Sequence, residues 1–559
     1  MATVPTILLQ ILATFIAGSG LAQASSSSGE EFSEELQIRP LRDGRVASTF
    51  SFRTFLHGAT PRSPESLGSD DKSQHYHVFP LALGQILREY AVTELHLSMN
   101  AGKWNYDEWG YPGELGVATG AELWAWMGEG GIYTVDERWS GLRNALSGLF
   151  CASLASMDEQ RTTSPLMTFV PEGDLPNWPG PHLLRHASLP SEHVCTENLT
   201  PFLKLLPCKS FSGIASLLNP HRLFDADWHG MSAHVLWHAS QGVEVRLSFQ
   251  LVSDPLRQSS SKRRDWSFRS LFDRSIDNRC PVASSSTIDV KLPAEEAYSL
   301  EPSPSSSDGG IGRYNLNVDG NFLFVSLSSR SFRHAQLGHL PSDIAMRWPS
   351  EFQYPLGSAS VPLVPLALQR TLTGASQANG HLAVRVQNRL NEELRVVYLE
   401  TMPWLVQFYA HTLSATVDGR KHAGLISNVS YFPPLHHSRP TTFQAILTLP
   451  PKSTVALSMD VSKAFLRYTD HQPDAQRGWD LPPAIFVPLR NGSDRIDGHS
   501  LGQRIYTPTL LVDLATPDFS MPYNVIIFTC TVMAFIFGSV FNLLTRKFVV
   551  VHLDDQHKE

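Results

Sequence analysis

An uninterrupted apolar run from Val525 to Leu544, VIIFTCTVMAFIFGSVFNLL, limits what this chain can fold into more than any other segment. Its 20 residues, at about 1.5 Å each, make a helix about 30 Å long, the hydrocarbon thickness of a bilayer. Asn524 precedes the run, and Thr545, Arg546 and Lys547 follow it with a short polar tail. The basic pair sits where a cytoplasmic anchor belongs, so positive-inside logic puts everything before the span outside the cytosol. The expected molecule is a large ectodomain on one C-terminal transmembrane helix, 525–544, with a cytosolic tail, 545–559.

At the other end, Ile7 to Ala17 is apolar but short, and Ala22-Gln23-Ala24 is an A-x-A processing pattern. Residues 1–24 therefore read as a signal peptide removed after Ala24. The residues before Ile7 lack Lys and Arg, which keeps an uncleaved N-terminal anchor as the alternative. A glycolipid-attachment signal fits the C-terminal run less well, because such signals end in their hydrophobic tail and this sequence continues to Glu559. A cleaved signal plus a stop-transfer helix makes a type I single-pass protein.

About 490 residues remain outside these segments, too many for one core and suited to two or three domains. A formal net charge of −8 argues against nucleic acid as a partner, which would need a basic field. Frequent Pro (38) and Gly (37), with 10% aromatics, suit many short strands and turns better than a helical bundle. Of five cysteines, Cys530 lies in the span. Cys151, Cys195, Cys208 and Cys280 face an oxidising compartment, where pairing is the default. None has zinc-like spacing. Two internal bridges, or one bond to a partner chain with another thiol left free, are both compatible with this count.

Along the chain, Leu36 and Ile38 and then Val46, Phe50 and Phe52 recur at even spacing around Asp43-Gly44, a hairpin. Leu83, Ile86, Leu87 and Tyr90 have helical spacing; Leu95, Leu97 and Met99 alternate as a strand, and Ala121 to Trp126 is another. Thr134 and Glu137 form a capping-box pattern opening a helix with Trp139, Leu142, Leu146, Leu149, Phe150 and Ser153 on one face. Beyond residue 160 short β-rich runs dominate: Val243 to Phe249, Leu382 to Val386, Val396 to Leu399, Leu405 to Tyr409, Phe443 to Leu449 and Val455 to Val461. The expected fold class is mainly β with some α (α+β), antiparallel β-sandwich-like lobes plus the C-terminal helix. The flexible-looking PSPSSSDGG stretch, Pro302 to Gly310, divides an N-terminal α+β domain, 25–300, from a C-terminal β-sandwich-like domain, 311–515. Sequons at Asn198, Asn428 and Asn491 mark expected glycosylation sites on the same side of the membrane.

Catalytic signals are weak. Gly498-His499-Ser500-Leu501-Gly502 matches the nucleophile elbow G-x-S-x-G, which needs Ser500 between a buried strand and a helix. Here a polar loop precedes it, and little chain remains before the span to supply a helix, an acid and a His; a hydrolase using Ser500 is the competing hypothesis. His75 with His77, His229 with His234, and His436-His437 lack a third ligand at motif spacing, so no metal site is expected. Trp104, Trp109, Trp124, Trp126 and Trp139 could form a carbohydrate platform, but core packing explains them more simply. No phosphate-cradling glycine pattern occurs, so neither a cofactor nor a catalytic residue is expected. In the span, Cys530, Ala534, Gly538 and Asn542 repeat every fourth residue, a small-to-polar stripe suited to docking against other membrane helices.

Several blocks together resemble the PIG-T family, a subunit of the glycosylphosphatidylinositol (GPI) transamidase complex. They are FPLALGQIL (79–87), ELHLS (94–98), GAELWAWM (120–127), LSGLFCASL (146–154), VCTENLTPFLKLLPC (194–208), RDWSF (264–268), TPDFSMPYNVI (516–526) and NLLTR (542–546). Residues from Ser259 to Gly310 and from Ser360 to Gly380 follow the family loosely. The resemblance implies a non-catalytic subunit of the endoplasmic-reticulum enzyme that cleaves a C-terminal signal and attaches GPI. Its implied partners are a caspase-like catalytic subunit and other membrane subunits, with GPI lipid and proprotein substrates met indirectly. It also implies that Cys195, in the V-C-T-E-N-L-T block, forms a disulfide with the caspase-like subunit. On that basis Cys208 is expected to pair with Cys280, and Cys151 to stay free. A receptor or adhesion protein of the cell surface is the third reading, since Lys558 is not placed as a dilysine retrieval signal requires.

Overall fold

Alternating apolar residues need two surfaces to pack against, and the computed structural model shows what they are. It describes residues 29–548 except 72, 259–262, 292–297, 309–310, 317–342, 349–362, 375, 423, 472–476, 492–498 and 517–519. The signal-peptide reading of 1–24 and most of the tail, 549–559, lie outside the described residues.

The first lobe is built on an 11-stranded sheet. Its centre runs through Glu30–Pro40, Val46–His57, Gly242–Ser253, Trp228–His238, Val92–Ala101, Gly120–Gly128 and His182–Leu189. The expected hairpin forms, with Leu36 opposite Phe50 and Gly44 in the turn at φ +76°. Among the described pairs, only Glu30–Pro40 with Ser285–Lys291 is parallel. Leu95, Leu97, Met99, Leu123, Ala125, Leu247 and Phe249 share one face, and helices cover it through Leu83, Leu87, Trp139, Leu142, Leu146, Phe150, Leu199 and Phe202. The capping box opens the helix Val135–Phe150 as the sequence predicts. The Glu137 N–H donates to the Thr134 hydroxyl at 3.2 Å, and the Thr134 N–H to the Glu137 carboxylate at 2.8 Å.

The second lobe is a sandwich of two 6-stranded antiparallel sheets. Leu382, Val384, Val386, Leu457 and Met459 of one sheet meet Val396, Tyr398, Phe443, Ala445 and Phe486 of the other across a shared core. Inside it Arg370 and Glu400 pair at 2.5 Å with no exposed side-chain surface. Residues one step out of phase, Val397, Leu399, Ile446, Ile485 and Val487, pack instead against Trp104, Trp109, Trp124 and Trp228 of the first lobe. The strand Leu394–Met402 is therefore buried on both faces. The order of layers is helices, large sheet, inner sandwich sheet, outer sandwich sheet.

The boundary differs from the expectation at Pro302–Gly310. Ser306–Asp308 pairs with Ile311–Asn315, which pairs with Ser285–Lys291 in the large sheet. Ala345–Arg347 pairs with Ser299–Glu301 and with Trp266–Ser267, and Ile344, Met346 and Trp348 sit in the first core. Among the described residues, those up to Trp348 that follow Ser285 belong to the first lobe, and Val364 is in the second core. Ser- and Gly-rich composition removes apolar side chains but leaves backbone donors and acceptors, and a sheet edge uses those. The helix Thr196–Leu205 lies in the stretch beyond residue 160 where the helical signal of the sequence fades. It is short and carries Pro201, which blurs the stripe Leu199, Phe202 and Leu203.

Cys208 and Cys280 form a disulfide that staples the loop after this helix to the loop before Ser285–Lys291. Next to it, Gly213 at φ +73° lets the backbone approach Glu34, whose carboxylate oxygens lie 2.5 Å from where a Cβ would stand. Burial pushes the Glu34 carboxyl up to about 7, against the Ser286 hydroxyl (2.7 Å) and the Ile214 N–H (3.1 Å), which favour the charged form. A raised folded-state value contributes stability below the unfolded value of 4.5 and loses it as pH rises through about 7. Glu34→Gln should therefore gain about 3 kcal/mol relative to the parent between pH 5 and pH 8. Paired denaturant melts check this; a constant difference across that window would reject it.

Candidate functional site

Three places carry chemistry: a pair of exposed thiols, a polar seam between the lobes, and the C-terminal helix. Cys195 is the N-cap of the helix Thr196–Leu205, and Cys151 follows the helix Val135–Phe150 at φ +52°. Both thiols are exposed and unpaired. One side chain joins the two helix ends. The Asn198 carbonyl accepts the Cys195 N–H at 2.7 Å, while its amide donates to the carbonyls of Phe150 (2.8 Å) and Cys151 (3.1 Å). Asn198 thus fills the role of the acidic residue in a capping box and holds Cys195 at a fixed place on the surface.

This geometry corrects the sequon reading at Asn198. Its side chain is 0% exposed, and the nitrogen that would carry a glycan spends both hydrogens on backbone carbonyls. Asn428 is different: it is exposed, at φ +48°, where the edge strand Ile426–Phe432 is bulged. The side chain of Asn491 lies outside the described residues.

The seam comes from the second face of the large sheet. One cross-strand row reads Arg53, Arg246, His234, His96, Trp124, His186. His96 stacks on Trp124 with ring centroids 3.7 Å apart. It meets Glu94 through Nε2 at 3.0 Å and His234 through Nδ1 at 2.8 Å. With Nε2–H donating to the carboxylate, His96 Nδ1 accepts from His234 Nδ1–H, and His234 Nε2 is left as a buried lone pair without a partner. Burial holds the His234 imidazolium well below its usual range. From the second lobe, Arg504 spans this row. It pairs with Glu172 at 2.9 Å and lies 5.0 Å from the ring centroids of both Trp124 and Phe169. Burial alone would raise the Glu172 carboxyl, but the Arg504 guanidinium paired with it outweighs burial and holds it below the usual carboxylate range.

Thr163, His186 and Glu122 stand in the order of a nucleophilic triad, with Thr163 Oγ1–His186 Nδ1 and His186 Nε2–Glu122 Oε1 both 3.1 Å. They are 5%, 3% and 2% exposed, and the Tyr506 hydroxyl caps Glu122 at 2.8 Å. A substrate has no path to the hydroxyl, so the chain of hydrogen bonds is a clasp between lobes. Ser500 lies in a short strand, His499–Leu501, paired with Ile485–Asn491 and followed by another strand, Ile505–Tyr506. The strand–turn–helix of a nucleophile elbow is not formed there. His436 and His437 lie against Trp404 with tilted rings, centroids 4.4 Å away, and no cluster of three metal-ligating side chains occurs among the described residues. Trp104, Trp109, Trp124 and Trp139 are buried and Trp126 half-buried, so no aromatic platform is presented.

Arg504, Tyr506, Glu172, His96 and His186 escaped the sequence reading. The signal was present as polar residues at alternate positions, His96, Ser98 and Asn100, but that pattern is also what a solvent-facing strand shows.

The helix Ser520–Thr545 contains an apolar stretch, Tyr523–Thr545, whose most apolar 18 residues have mean hydropathy 2.1 and are not buried by the rest of the chain. Thr529, Thr531 and Ser539 donate their hydroxyls to carbonyls four residues back at 2.7–2.8 Å, which satisfies them in an apolar medium. A Cβ on Gly538 would meet nothing within 4 Å, and Cys530, Ala534 and Asn542 are exposed along the same helix.

The model of a family described as "Gpi16 subunit, GPI transamidase component" matches residues 15–559. The chain is 34% identical to the "GPI-anchor transamidase component PIGT" of Mus musculus, over 97% of this chain and 94% of that protein. It is 32% identical to the "GPI transamidase component PIG-T homolog" of Schizosaccharomyces pombe, over 93% and 90%. Identity to "GPI transamidase component GPI16" of Saccharomyces cerevisiae is 29%, over 94% and 90%.

Proposed function

Since the chain belongs to the Gpi16 family of GPI transamidase components, we propose that it is the non-catalytic subunit that holds a caspase-like catalytic subunit in place while GPI is attached to proproteins. On this reading the two lobes are luminal, and the helix Ser520–Thr545 anchors them in the endoplasmic-reticulum membrane after a signal peptide is removed at Ala24. The open stripe on that helix docks against other membrane subunits, and retention follows from assembly. Asn428 is the sequon best presented for a glycan; Asn491 is the other candidate.

The observation that carries the reading is the presentation of Cys195. It is exposed, it is separate from the Cys208–Cys280 disulfide, and Asn198 fixes it at a helix N-terminus. Such a thiol suits a bond to a partner chain, which here is the caspase-like subunit. Non-reducing electrophoresis of assembled complex should show a heterodimer band that Cys195→Ser abolishes and Cys151→Ser leaves intact. Persistence of that band in Cys195→Ser would refute the assignment. Enzymatic deglycosylation should shift the parent in mobility, with Asn428→Gln removing one step and Asn198→Gln none.

A further inference from the structure

We propose that the end of the second lobe from which the helix emerges rests directly on the lipid surface, seating Phe465, Tyr468 and Leu511 at the boundary between headgroups and acyl chains. The proposal rests on reading Ser520–Thr545 as membrane-spanning. Leu514 is still buried in the second core, at 4% exposure, and the helix begins at Ser520. Only residues 515–519 separate them, a reach of at most about 20 Å. The lobe therefore sits low over the bilayer, and some part of its surface faces lipid.

That part is identified by chain continuity and exposure. The last strand before the helix, Leu510–Val512, pairs with Trp479–Leu481, and the loop preceding that strand carries Phe465 and Tyr468. Phe465 is 76% exposed, Leu511 54% and Tyr468 42%. Leu435, 50% exposed, lies in the adjoining loop, which is joined to this one by His437 and Asp470 at 4.0 Å. Single exposed apolar side chains are ordinary, but Leu435, Phe465 and Tyr468 on two joined loops, with Leu511 on the last strand before the helix, together mark a surface that is covered. Arg467, exposed between Phe465 and Tyr468, supplies the cation that reaches phosphate while its neighbours enter the acyl boundary. Tyr523 at the start of the span, 48% exposed, is the matching interfacial aromatic on the helix itself. A partner protein is the other occupant such a patch could take; the short tether favours lipid.

The test uses the full chain with Cys151, Cys195 and Cys530 replaced by Ser, in phosphatidylcholine nanodiscs. Single spin labels are placed at Phe465→Cys, Tyr468→Cys or Leu511→Cys. Phe541→Cys in the helix is the lipid standard, and Phe211→Cys in the first lobe, 83% exposed, is the water standard. Collision rates with oxygen and with a water-soluble nickel chelate are compared at each position. The oxygen-to-nickel ratio at 465 and 511 should exceed that at 211 by about threefold or more, approaching the value at 541. Ratios at 465, 468 and 511 equal to that at 211, with 541 lipid-like, overturn the proposal and leave the span intact. A water-like ratio at 541 overturns both. Shielding from both reagents that arises only after assembly with the other subunits assigns the patch to a protein partner and overturns it as well.

Discussion

Arg504→Met should lower the unfolding free energy by about 3 kcal/mol, the low end of what breaking a buried ion pair costs. The Arg504 side chain is 10% exposed and its partner Glu172 is 27% exposed, so water softens the penalty on the carboxylate left behind. Methionine keeps most of the packing over Trp124 and Phe169 and removes the charge that both rings and Glu172 face. The effect is on the seam between the lobes, so cooperativity should suffer along with stability. Denaturant curves of the parent follow one transition by tryptophan emission and by circular dichroism if the lobes unfold together; in Arg504→Met the two probes should separate. Glu172→Gln should recover part of the loss, because a neutral amide needs no counter-charge, and the double-mutant cycle should show coupling of about 1–3 kcal/mol. Additive single effects would place Arg504 outside the clasp.

Removing the Cys208–Cys280 disulfide by Cys208→Ser with Cys280→Ser should cost about 4 kcal/mol, from releasing a closed loop of 72 residues in the unfolded chain. The two cysteines lie 5.8 Å apart at Cα, and Cys280 is buried in the first core beside Glu34 and Gly213. The loss should therefore appear in the first lobe, as faster proteolysis between the helix Thr196–Leu205 and the strand Ser285–Lys291. Cys151→Ser and Cys195→Ser are the controls. Their thiols are exposed and in no disulfide within the chain, and serine keeps the N-cap acceptor at 195, so each should move stability by no more than about 0.5 kcal/mol. A double variant as stable as the parent would reject the staple.

Local signals transferred well where one short window held both the cause and the consequence. The Thr134–Glu137 capping box, the hairpin around Gly44 and the alternation of Leu95, Leu97 and Met99 all formed as read. Where the cause lay elsewhere in the chain, the window misled. Asn198 satisfies a three-letter acceptor pattern, yet its amide is consumed by carbonyls 47 and 48 residues away. PSPSSSDGG has a linker's composition, yet its end pairs at the edge of the large sheet. No local pattern marks His96 and His186 as buried, because Arg504 and Tyr506, which cover that face, come more than 300 positions later.

The sequence by itself determined the apolar helix at the C-terminus, the β-rich class and the resemblance to one family. Hydrophobic length and period-2 alternation are properties of consecutive residues and survive without a fold. Tertiary structure decided which side of each strand faces which lobe, and that distinction turned polar rows into a sealed clasp. It also decided that Cys195 stands on the surface while Asn198, three residues on, is buried. Burial and hydrogen-bond partners are set by what packs on top, and a local pattern does not contain that information.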